Sequence, residues 1–298
     1  MSFISLMGAL EIGLIFALVA LGVLISFRIL NFPDLTADGS FPLGGAVAAT
    51  LISGGHDPWL SCAIAAVAGA MSGWVTAWLN VRLNILQLLA SILVMIALYS
   101  INLRIMGAPN VPLLGEATVF TPFIGEGGDS AYWIQPMVLV AVVIAVKLGL
   151  DAFFASQSGL ALRATGANPR MARAQGISTN RYTLAGMALS NALIALGGAL
   201  YVQTQGGADI SMGVGTIVIG LAAVIIGETL IPSRNLWIIT LATVLGAILY
   251  RLFIALALTA DFIGLQAQDL NLITAVLVGF ALVLPMLKAK LRRASGAK

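Results

Sequence analysis

Long apolar runs separated by short polar punctuation dominate this chain. Nine such segments can be drawn, at about 4–26, 41–54, 60–79, 85–103, 133–150, 182–202, 212–230, 236–257 and 271–288. Most lie near the roughly 20 residues that cross a bilayer as a helix. The runs are continuous, where a β-barrel would show alternation in segments of about ten residues. The second segment is short, and the stretch before it, Asp34-Leu-Thr-Ala-Asp-Gly39-Ser40, is not basic enough for a plain cytoplasmic loop. Residues 30–54 therefore read as one broken crossing. The expected fold is all-α: a polytopic helical membrane protein, one transmembrane domain over 1–298, with broken helices.

The longest polar interval runs from Lys147 to Arg181, with a loop expected at 151–181. Five cations, Lys147, Arg163, Arg170, Arg173 and Arg181, face one acid, Asp151, which places the interval in the cytoplasm by the positive-inside rule. Asn168 suits an N-cap, Pro169 the first helical position and Gly176 the stop of a two-turn helix. A short cationic rod beneath a membrane is a handle for a soluble partner; the plainer alternative is an ordinary interfacial loop helix. The tail KAKLRRASGAK is basic, so counting back puts the N-terminus outside. Of 15 Lys and Arg, all but Arg104 and Arg251 then fall inside. The outer loop, 104–132, carries Glu116, Glu126 and Asp129 and reads as a landing place for an extracytoplasmic partner or as a passive cover.

Composition closes off other classes. Of 298 residues, 60% are hydrophobic and 9% charged, against about 25% charged in soluble domains. Cys62 is the single cysteine and His56 the single histidine, so neither a metal cluster nor a histidine-supported catalytic site is expected. No G-x-x-x-x-G-K-[ST] or G-x-G-x-x-G phosphate loop occurs, and no strand is expected to carry one. If ATP drives this protein, another chain binds it. The net charge of +3 reports topology, not nucleic-acid binding.

Polar groups at membrane depth each need a reason. Asp34, Thr36, Asp38 and Ser40 cluster where the second crossing breaks, and read either as the lining of a translocation path or as N-caps of a helix beginning near Phe41. Asp209 and Ser211, before the seventh crossing, carry the same two readings. The two stretches echo one another, Asp34-Leu-Thr…Gly39-Ser…Leu43-Gly-Gly-Ala46 against Asp209-Ile-Ser…Gly213…Ile219-Gly-Leu-Ala222, and repeated broken helices point to transporter binding sites. Arg251 stands about 22 Å along the eighth crossing and needs an anion: Asp261, Asp269 or a substrate carboxylate. Glu228 and Arg234 read as a solvated pair at an inner turn. Glu11 reads as facing protein or an aqueous edge, with a proton relay as the rival role. Gly69-Ala-Met-Ser-Gly73 and Gly197-Gly198 read as close helix contacts. Trp59, Trp74, Trp78, Trp133 and Trp237 read as an interfacial belt.

Two stretches carry a resemblance. Ala17-Leu-Val-Ala-Leu-Gly22…Asn31-Phe…Asp34-Leu-Thr-Ala-Asp-Gly39-Ser…Gly44 is similar to the first broken-helix region of permease subunits of bacterial ATP-binding cassette importers of the branched-chain amino acid and ribose type. Gly159-Leu-Ala-Leu-Arg163-Ala-Thr-Gly166-Ala-Asn168-Pro169…Ala172-Arg…Gly176-Ile177 resembles that family's cytoplasmic coupling loop and is the more specific signal. Ser100-Ile-Asn-Leu-Arg104-Ile-Met-Gly107, Ile226-Gly-Glu228, Leu249-Tyr-Arg251 and Asp269-Leu-Asn-Leu-Ile273 resemble the tryptophan/tyrosine-type subgroup. Gly227-Glu228-Thr-Leu departs from the wider family's second glycine-rich turn.

The resemblance implies a homodimer of this chain in the bacterial inner membrane, fed by an extracytoplasmic solute-binding protein. It implies two ATP-binding subunits that hold ATP and Mg, with no cofactor in this chain. The ATPase contact falls on Arg163, Gly166, Asn168, Pro169, Ala172, Arg173, Gly176 and Ile177. Substrate would pass Asp34, Thr36, Asp38, Ser40, Asp209, Ser211 and Arg251. The principal alternative is an ion-coupled secondary transporter using Glu11, Asp34 or Glu228; a channel and a membrane enzyme find less support.

Overall fold

A computed structural model describes residues 3–123 and 131–259, with Val276 and Gly279. The helices are α1 (Phe3–Val23), α2 (Ala37–Ser53), α3 (Pro58–Leu83), α4 (Gln87–Met106), α5 (Ala131–Ala155), α6 (Gln157–Ala167), α7 (Pro169–Ala174), α8 (Thr179–Gln205), α9 (Thr216–Leu230) and α10 (Leu236–Thr259). A π-helical turn, Leu24–Ile29, extends α1. Among the described residues six helices are long and apolar enough to cross a membrane: α1 with its π-turn, α3, α4, α5, α8 and α10. The second and seventh expected segments are shorter helices, α2 of 17 residues and α9 of 15. In place of nine similar crossings the described residues thus hold six helices long enough to cross and two shorter ones. The ninth segment, apart from Val276 and Gly279, lies outside the described residues, as do the basic tail, Glu126, Asp129, Asp261 and Asp269.

Both short helices begin near the midpoint of α8. After Ile29 the chain turns at Asn31, whose φ of 54° is left-handed, a conformation asparagine tolerates better than most residues. It returns as a non-helical run to α2, which starts at Ala37, four residues earlier than a helix from Phe41 would. Asp38 and Ser40 are therefore inside the helix. After α8 the chain doubles back, and Gly213 packs on the Asp38 backbone carbonyl. That carbonyl lacks its helical donor because Pro42, four residues on, has no N–H. From this shared middle α2 and α9 run in opposite directions: the Thr50 hydroxyl donates to the Ile105 carbonyl at the end of α4, whereas Glu228 near the end of α9 meets Arg28.

Glycines hold the bundle together, as expected where lipid removes the hydrophobic drive between helices. A Cβ at Gly69 or Gly73 of α3 would overlap the Asn191 or Met187 carbonyl of α8; one at Gly44 or Gly198 would overlap the α2–α8 contact; one at Gly227 or Gly246 the α9–α10 contact. The G-x-x-x-G on α3 thus serves packing within the chain. Two short strands, which the apolar pattern does not announce, join the 104–132 loop to the end of α8. Strand β1 (Asn110–Pro112) pairs antiparallel with β2 (Gly207–Asp209), Asn110 opposite Asp209.

Gly198→Leu should force α2 from α8 and cost at least about 1–3 kcal/mol, the usual price of overpacking. Gly149→Ala on α5 meets nothing within 4 Å and should be neutral or stabilising by up to about 1 kcal/mol. Thermal unfolding of the detergent-purified chain, followed by gel filtration, checks both.

Candidate functional site

At mid-bundle the side chains of the broken crossing meet α3 and α8. The Asp34 carboxylate is buried with both oxygens engaged: Oδ1 accepts from the Thr36 backbone N–H at 2.9 Å and Oδ2 from Asn191 Nδ2 at 2.8 Å. Asn191 Oδ1 in turn accepts from the Ser40 hydroxyl at 2.7 Å. The Ser40 and Ser72 hydroxyls lie 2.8 Å apart, as do those of Thr36 and Thr76. Ser72 donates onward to the Gly69 carbonyl at 2.7 Å. All these side chains are buried. The structure thus brings Asp34, Thr36 and Ser40 together in a closed network inside one chain. Ser72, Thr76 and Asn191 are partners that sequence reasoning passed over. Their signal was present, since Ser72 and Thr76 stand one turn apart in an apolar helix, where hydroxyls serve as interhelical links.

Asp38 faces the other short helix. Its carboxylate accepts from the backbone N–H of Ile217 at 2.8 Å and of Gly215 at 3.4 Å. One acid therefore lies in the first turn of α2 and also caps the first turn of α9, opposing the positive ends of both helix dipoles. Asp209 lies apart, at the end of α8. Its Oδ1 accepts from the Ser211 backbone N–H at 2.8 Å and from the Ser211 hydroxyl, the same turn that Asp34 makes with Thr36. The echo between the two halves is thus a local backbone likeness, while the two acids occupy different environments. Between Asp209 and α9, residues 211–215 form a non-helical turn on which Ser211 is exposed and Val214 is 74% exposed.

Arg251 packs on α1 at Gly13 and lies within electrostatic reach of Tyr201. Tyr201, Phe16 and Phe41 form an aromatic cluster with ring centroids 5.4–6.3 Å apart. No carboxylate among the described residues pairs with Arg251. Glu11 is half-buried in α1.

At one end of the bundle α5 continues through Lys147 and Asp151, so neither belongs to a loop. They form a buried ion pair at 2.6 Å, with the Thr240 hydroxyl donating to Asp151 at 2.7 Å and Lys147 Nζ 3.8 Å from the Trp237 ring centroid. The expected Glu228–Arg234 pair does not form: Glu228 binds Arg28 at 2.6 Å, a residue remote in sequence that only the α1–α9 contact brings near. Beyond α5, α7 is the rod the sequence outlines. Asn168 Oδ1 accepts from the Met171 N–H at 3.1 Å, Pro169 opens the helix, and Gly176 has φ +81°. Ala172 is buried, Ile177 N–H donates to its carbonyl at 3.0 Å, and Arg170, Met171 and Arg173 face outward. Gly166 on α6 seats directly on the Ile29 carbonyl, where a Cβ would overlap it. Arg163 is on the same helix, half-buried. A cleft of about 460 Å³ beside α7 is walled by Phe32, Asn84, Gln87, Pro169, Arg173 and Thr179.

The chain matches, over residues 5–287, the family described as branched-chain amino acid transport system, permease component. It is 37% identical to the tyrosine transport system permease protein of Clostridioides difficile, over 89% of this chain and 86% of that protein. It is 35% identical to an uncharacterized protein of Rickettsia prowazekii, over 93% and 96% of the two chains. A nucleoside ABC transporter permease of Lactococcus lactis is 34% identical over half of this chain and 42% of its own length. No solved structure matches.

Asn191→Ala strands an Asp34 oxygen and the Ser40 hydroxyl in a dry site. It should cost about 1–3 kcal/mol or more, read as a lower unfolding midpoint. Ser40→Ala should cost less, because it leaves one buried acceptor, Asn191 Oδ1, without a donor where Asn191→Ala leaves two groups.

Proposed function

The chain belongs to the family of permease components of branched-chain amino acid transport systems, and from that premise we propose that it is the membrane subunit of an ATP-binding cassette importer for an amino acid or similar small solute. ATP and Mg are held by a separate cytoplasmic subunit, and this chain contributes no catalytic group. The chain lies in the bacterial inner membrane with its N-terminus outside and its C-terminus in the cytoplasm. An extracytoplasmic binding protein delivers solute to the face of the outer loop and β1. The name of the tyrosine permease relative favours an amino acid, and an aromatic one is the first to try.

The observation that carries this reading is the contact of Gly166 with Ile29. The ATPase grips the exposed residues of α7, and α6 hands its displacement to the base of α1. From there Leu30 to Leu35 lead directly to Asp34 and the junction of the two short helices. A second support is the 211–215 turn, which exposes Ser211 and Val214. Irregular backbone at membrane depth cannot face lipid, since its polar groups would go unpaired. It faces a second copy of the chain or a water-filled path, and the two-fold axis of a homodimer provides both. Ser211, Asp38 and Asp209 would then border the pathway, with Asp34, Thr36 and Ser40 holding its wall from behind.

Co-expression with candidate ATP-binding and solute-binding subunits tests the reading. Replacing 166–172 with a Gly/Ser run should abolish solute-stimulated ATP hydrolysis and ATPase co-purification. Gly166→Val should spare co-purification and lower stimulation about tenfold or more, as the loss of about 1.4 kcal/mol of coupling would. Uptake that survives ATP depletion and collapses with an uncoupler would instead identify an ion-coupled transporter.

A further inference from the structure

We propose that the cavity between α5, α6 and the α9–α10 turn binds a phosphate group, carried by an anionic phospholipid of the leaflet on the α7 side. The cavity holds about 310 Å³ and is lined by Arg163, Arg234, Asn235, Asp151, Phe154 and Trp237. Its charge is unbalanced for a specific reason. Asp151 is already engaged by Lys147 and Thr240, and Glu228, the acid nearest Arg234 in sequence, is engaged by Arg28. Among the described residues neither Arg163 nor Arg234 has a carboxylate partner. Two arginines from separate elements, Arg163 half-buried and Arg234 exposed, thus line one cavity without a carboxylate partner. Planar forks of this kind bind phosphate oxygens two at a time.

The level of the cavity selects the source of the anion. Trp237 is the second residue of α10, half exposed, with the Lys147 ammonium over its ring. That is the position of a tryptophan at a membrane–water boundary. Phe154 and Trp237 add apolar lining beside the arginines, the mixture that an acyl chain and its head group would meet. Basic pockets between helices at this depth suit lipid head groups. A seated phosphodiester would tie the elbow between α5 and α6 to the α9–α10 turn. The assignment does not rest on the transport reading.

The test is native mass spectrometry of the full-length chain in detergent, titrated separately with phosphatidylglycerol, phosphatidylcholine and inorganic phosphate. Wild type should retain one phosphatidylglycerol in preference to phosphatidylcholine. Arg163→Gln/Arg234→Gln should weaken that binding about tenfold or more, the loss expected for two charge-assisted contacts. Arg170→Gln/Arg173→Gln, which removes equal charge from α7 outside the cavity, should leave it unchanged. If the first double variant does not fold, the Trp237 emission, isolated by subtracting that of Trp237→Phe, should be quenched more by brominated phosphatidylglycerol than by brominated phosphatidylcholine. Equal retention by wild type and the first double variant, or equal quenching by the two lipids, overturns the site. Binding of inorganic phosphate that displaces the lipid overturns the lipid source.

Discussion

A single side-chain amide at the middle of α8 holds the structure in its present form. Asn191 donates to Asp34 and accepts from Ser40, fixing the start of a short helix at the centre of the bundle. Non-helical backbone survives in a membrane only when protein or water meets its polar groups. The run from Asn31 to Thr36 satisfies that condition through Asp34, whose carboxylate takes one backbone N–H and one side-chain amide. Removing one partner of such a buried acid costs more than the bond itself contributes, because the other partner is left without water. Each member of the network thus helps to fix where α2 begins.

The small residues make that placement reachable. Glycines at the α3–α8 and α2–α8 crossings let backbones approach to a distance at which Ser, Thr and Asn side chains can touch. Bulkier residues would separate the helices and leave the hydroxyls in hydrocarbon. The same device recurs at Gly166, where α6 rests on the last carbonyl of the π-turn, so the loop end and the centre of the bundle are joined by close backbone contact and a short extended run. A flexible side-chain contact would absorb movement there; a carbonyl against a glycine would pass it on. The π-turn and the left-handed Asn31 lie at the point where such movement would enter, in keeping with the common siting of π-turns at functional positions.

Much of this was legible in the chain. Asn168, Pro169 and Gly176 announce α7 because caps depend on spacing of a few residues. Gly69 and Gly73 announce a close contact, and Asp34 to Ser40 a break. Other features were misread where a local pattern had two outcomes. Lys147 and Asp151, at i and i+4, looked like the start of a polar loop and are a buried pair in a continuing helix. Glu228 and Arg234 looked like neighbours across a turn, yet Glu228 pairs with Arg28. Asn191, which has no polar neighbour in sequence other than Ser190, gave no sign of being the hub.

The sequence by itself determined that the chain is a helical membrane protein, where its apolar segments lie, where they break and where the one capped rod stands, because hydrophobicity, glycine and proline act over a few residues. Tertiary structure alone decided which polar groups meet and at what depth. The partners in the central network come from the non-helical run before α2 and from α2, α3 and α8, up to 157 positions apart, and one acid, Asp38, serves a helix that begins at Thr216. Such pairings depend on which faces of which helices touch, a property that no short window of residues contains.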